Sequence, residues 1–103
     1  MIRGTTPSLL YNLPFPSSLL KSAEITIKYE DGQKILELTK TLEECVLGET
    51  SIAAHLTQEE TLQFPAPSSV LVQLRVLTVN DEAMATDYEE VPVKKLLKEG
   101  VIV

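Results

Sequence analysis

One cysteine (Cys45), one histidine (His55), four glycines and no tryptophan occur among the 103 residues, and each scarcity removes a class of function. A lone cysteine excludes an intrachain disulfide, and one Cys with one His cannot build a zinc site without several carboxylates. Cys45 therefore reads as a small buried apolar residue, and Glu43 and Glu44 beside it oppose the thiolate that a nucleophile needs. His55, flanked by Ala53, Ala54 and Leu56, reads as the outward residue of a strand. So few glycines leave no phosphate-cradling loop, and G-x-S-x-G, H-E-x-x-H and EF-hand patterns are absent too. The aromatics, Tyr11, Phe15, Tyr29, Phe64 and Tyr88, are too dispersed for a platform on which bases or sugars stack. No cofactor and no metal is expected, and no enzymatic activity.

Cations are also scarce. Nine basic against fifteen acidic residues give a net charge of -6. Only Lys94, Lys95 and Lys98 fall close together, which argues against nucleic acid or an anionic membrane as partner. No window approaches eighteen apolar residues, and "MIRGTTPSLL" lacks the apolar run of a signal peptide. Synthesis in the cytoplasm without a signal peptide is the expectation.

What is present is strand patterning. An apolar fraction of 44% and a charged fraction of 23% are those of a globular chain, and the length predicts one domain, residues 1–103. Apolar residues alternate with a period of two between punctuating prolines. "SLLYNL" (8–13) predicts a first strand, stopped by "PFPSS"; "SSLLKS" predicts one helical turn. "EITIKY" (24–29) and "KILELT" (34–39) predict a β-hairpin, with Ile25, Ile27 and Tyr29 on one face and Asp31-Gly32 supplying positive-φ turn positions. "TLEECVL" (41–47) and "TSIAAHL" (50–56) predict a second hairpin with Ile52, Ala54 and Leu56 inward. "SVLVQLRVLTV" (69–79) predicts a central strand with Val70, Val72, Leu74 and Val76 inward. "AMATDYEEVPV" (83–93) predicts one edge strand, and "KKLLKEGVIV" a helical turn ending at Gly100 before an apolar tail. The sum is an all-β, immunoglobulin/fibronectin-like antiparallel sandwich of about seven strands with one or two short helical turns, with a small barrel as the competing architecture.

The segment that most resembles a motif is "LTQEETLQF" (56–64), with Glu59 and Glu60 adjacent. Thr57 followed by Glu60 is the capping-box spacing, so the carboxylates read as the start of a one-turn helix. An acid–base pair is disfavoured because neighbours on one helical turn point about 100° apart. Glu43 with Glu44, and Glu89 with Glu90, read as solvated strand ends.

Four stretches, "MIRGTTPSLLYNLPF", "LTQEETLQF", "VQLRVLT" and "VPVKKLLKEGVI", together resemble small proteins encoded among the tail or baseplate genes of phages and prophages of Gram-positive bacteria. The chain is more loosely similar to the β-sandwich N-terminal module of phage baseplate upper proteins, which form oligomers; "SLLYNL" departs from that pattern in being more apolar. The resemblance implies a virion structural protein, a tail or baseplate-associated subunit. Its partners would be other phage structural proteins and, as an oligomer, its own copies. The residues expected to carry protein contacts are Ile2, Arg3, Val101, Ile102 and Val103 at the ends and Leu71 and Leu77 on the outward face of the central strand. Completion of the domain's own core is the competing role for them. An adaptor for a host surface or carbohydrate is the alternative function, and the dispersed aromatics count against it.

Overall fold

A computed structural model describes residues 1–103. Two antiparallel sheets form the structure. The smaller contains β1 (Ser8–Asn12), β5 (Ser51–His55) and β4 (Cys45–Leu47) in that order. The larger runs β3 (Ile35–Thr41), β2 (Leu20–Glu30), β6 (Ser68–Thr78), and β6 then carries both β7 (Ala83–Ala85) and β8 (Glu89–Val93) on its far side. This is immunoglobulin-like connectivity, with β1, β5 and β4 as strands B, E and D and β3, β2, β6 and β8 as C′, C, F and G. Strand A is reduced to a single parallel bridge between Ile2 and Lys94. No helix is long and apolar enough to cross a membrane.

The period-two pattern explains the layering. Ile25 and Ile27 of β2, Ile52 and Ala54 of β5, and Val70, Val72, Leu74 and Val76 of β6 all point between the sheets and are buried, together with Leu56, Phe64 and Val93. β2 and β6 pair along nearly their whole length, from Lys28 opposite Leu71 to Leu20 opposite Thr78, and form the spine of the larger sheet. The molecule measures 46 × 34 × 17 Å, two layers thick and no more.

Three local expectations are corrected and a fourth is met. Residues 83–93 make two strands because Thr86 interrupts them: its N–H and Oγ1 bond the C=O and N–H of Leu74, and its C=O accepts from Gln73 Nε2. Asp87 and Tyr88 are consequently thrust out of the ladder. Between β2 and β3 only Gly32 has a positive φ (91°), and Asp31 instead closes the loop by accepting from the N–H groups of Gln33 and Lys34. The helical turn expected in "SSLLKS" is present, as a 3-10 turn (Ser17–Leu19) that passes straight into β2. No helix forms in "KKLLKEG", because the Lys94 backbone is held extended by bonds to Met1 O and from Arg3 N–H, and Gly100 (φ 116°) lies outside the helix-capping region.

Candidate functional site: the α1 corner and the chain ends

The chain leaves β5 through Leu56 and turns into α1 (Gln58–Leu62) before reaching β6. Both halves of the capping box form: Thr57 Oγ1 accepts from Glu60 N–H at 3.1 Å, and Glu60 Oε1 accepts from Thr57 N–H at 2.8 Å. The second oxygen of Glu60 meets Lys40 Nζ at 2.6 Å, with both side chains largely shielded from solvent. Lys40 occupies an inward position of β3, opposite Ile25, so its ammonium requires this partner. Desolvation raises the Glu60 carboxyl, but the Lys40 ammonium and the Thr57 donors outweigh it and hold the group below the ordinary carboxylate range.

A second cap lies beside the first. Thr41 N–H and Oγ1 both donate to Glu44 Oε1 at 3.1 Å around the 3-10 turn Leu42–Glu44. These bonds, the Thr41 N–H first, lower the Glu44 carboxyl. Glu44 is thus a capping residue and not merely a solvated strand end. Cys45, which follows it, is only half-buried, with its thiol pushed up by desolvation and then by Glu44. His55 is exposed on the outer face, with Nδ1 bonded to Ser8 Oγ.

The far end of α1 gathers the chain termini. Arg3 donates from Nε to Phe64 O and from Nη2 to Leu62 O, both at 2.7 Å, satisfying carbonyls that α1 leaves open, and its Nη1 pairs with Glu99. Thr61, fully buried, donates from Oγ1 to Thr5 O at 2.9 Å. Gly4 (φ 73°) allows the chain start to nestle there: a Cβ on it would stand 2.7 Å from Leu96 Cδ1. The tail then crosses α1, where Gln58 accepts from Ile102 N–H at 2.8 Å and donates to Ile102 O at 3.0 Å.

Of the residues expected to make contacts, Ile2, Val101, Ile102 and Val103 are exposed in this region, Ile102 at 80%. Arg3 belongs to the same corner, where its Nε, Nη1 and Nη2 each donate to a partner within the chain. Leu71 and Leu77 share the outer face of β6 yet form no common patch. Gln73 and Arg75 lie between them, and Arg75 pairs with Glu24 across the sheet at 3.5 Å. Neither family models, nor characterised proteins, nor solved structures give a match to this chain.

Three features were not anticipated. Lys40 could have been found by parity, since Leu36, Leu38 and Lys40 fall on one face of β3. Gln58 carried no signal, because its role depends on where the tail lies. The third is a row across the outer face of the smaller sheet, in which Leu10 and Val46 both lie opposite Ala53; Leu10 is 64% and Val46 56% exposed.

Proposed function

We propose that this protein is a non-enzymatic structural subunit of a phage or prophage-derived particle, a tail or baseplate component that works by protein–protein contact through the apolar tail at the α1 corner. One observation carries the reading. Residues 96–103 are fastened by Leu96 against Gly4, by Glu99 on Arg3 and by Ile102 on Gln58, yet the side chains of Leu97, Val101, Ile102 and Val103 face solvent. A tail held in place while its apolar groups stay wet is arranged to be covered by something else. The phage setting itself rests on the resemblance of the four sequence stretches.

A photo-crosslinking residue at Ile102, introduced in a host that produces the particles, tests this. Crosslinks to another structural protein of purified particles are expected, well above those from an exposed control at Glu43. Absence of the protein from purified particles, or equal crosslinking from both positions, would overturn it.

A further inference from the structure

We infer that the free edge of β1 is a self-pairing surface, on which β1 of a second copy docks antiparallel to make one six-stranded sheet across a two-fold axis. This interface is separate from the tail proposed above. Leu56 N–H donates to Pro7 O (3.0 Å) and Leu13 N–H to Thr50 O (2.8 Å). Antiparallel alternation between these bonds turns the backbone of Leu9 and Tyr11 toward β5 and leaves the N–H and C=O groups of Ser8, Leu10 and Asn12 on the open side.

Every other edge carries a protection. β4 and β7 are three residues long. β3 bears Glu37 and Lys40. β8 contains Pro92, whose carbonyl accepts from the Met1 ammonium at 2.7 Å, and its end is bonded to the chain start at Lys94. β1 has none of these devices: it is five residues long, carries no charge and contains no proline. No charged side chain occurs anywhere from Gly4 to Leu20. In a chain of net charge -6, this is the edge where two copies meet without setting like charges opposite each other. Glu89, across the cleft between β1 and β8, belongs to the other layer.

The register is self-complementary. With the axis at Leu10, Leu10 pairs with its own copy and Ser8 with Asn12 of the other, so each open N–H meets an open C=O. The exposed row Leu10, Ala53 and Val46 then runs unbroken from one smaller sheet into the next, covering Leu10 at its centre.

Light scattering and hydrogen exchange across a concentration series test the assignment. A dimer is expected at high concentration, in which the Ser8, Leu10 and Asn12 amides gain protection, while Leu9 and Tyr11 are protected in both states. Leu10→Lys, with its side chain in solvent in the monomer, should weaken dimerisation at least tenfold at unchanged melting temperature. Leu10→Cys should form an on-axis disulfide under mild oxidation, since directly paired residues of this kind stand about 5.5 Å apart. A wild-type chain that stays monomeric at millimolar concentration overturns the proposal. So does a dimer that Leu10→Lys leaves intact, or one in which the alternate amides of β1 gain no protection.

Discussion

Thr57 and Glu60 illustrate how few atoms decide the α1 corner. Thr57→Ala removes the oxygen that receives Glu60 N–H, leaving an open donor at the helix start, and should cost about 1 kcal/mol in urea unfolding. Glu60 adds a pH signature, because it, Glu44 and Asp31 all have carboxyls held below their ordinary values in the fold. For a depressed carboxyl the unfolded chain takes up protons first. Its stabilisation is therefore complete above the ordinary carboxylate range, about pH 4, and is lost as pH falls through the lower folded values. Urea midpoints measured from about pH 6 to about pH 3 should decline toward acid, and Glu60→Gln should flatten that decline while lowering the plateau. This much was legible in sequence, since a capping box is a local spacing. The ion pair was not, because Lys40 and Glu60 are joined only when β3 folds against the corner.

Elements were legible in proportion to how local their causes are. β2, β5 and β6 follow from alternating apolar residues, and their inward sets, such as Val70, Val72, Leu74 and Val76, are those that alternation selects. The β7–β8 break was hidden because it depends on Thr86 docking on Gln73 and Leu74 of the neighbouring strand β6, which apolar alternation does not encode. The missing helix near Gly100 has a similar origin: Lys94 is claimed by the chain start and Glu99 by Arg3, and local preference yields to both. α1 itself is too short to persist alone and depends on what it packs. Phe64, immediately after it, is fully buried, and Phe64→Ala should destabilise by about 3–5 kcal/mol in equilibrium unfolding. A loss below about 1 kcal/mol would mean that the corner collapses to fill the space.

The whole molecule is a thin plate. Its radius of gyration, 14.6 Å, exceeds the roughly 13 Å of a compact chain of about 100 residues. Fourteen apolar side chains make up the core, so surface devices such as the caps and the Arg3 bonds form an unusually large share of what holds it together. The candidate interface was legible only in part, since the apolar tail stands out in the sequence but its fastening to Gln58 and Arg3 does not. Leu71 and Leu77 are outward by parity, and the same parity sets Gln73 and Arg75 between them; only Glu24, the partner of Arg75 on β2, lies beyond the local pattern.

The pairing of β2 with β6 also sets a timetable. Leu20 waits for Thr78 and Lys28 for Leu71, so the hairpin of β2 and β3 emerges from a ribosome long before the strand that will cover its open flank. Until then Ile25 and Ile27 lack the partners that bury them. A topology dominated by such distant pairings belongs to the slow-folding class, on the order of milliseconds to seconds. A nascent or truncated chain ending before β6 therefore leaves that apolar flank open to wrong contacts.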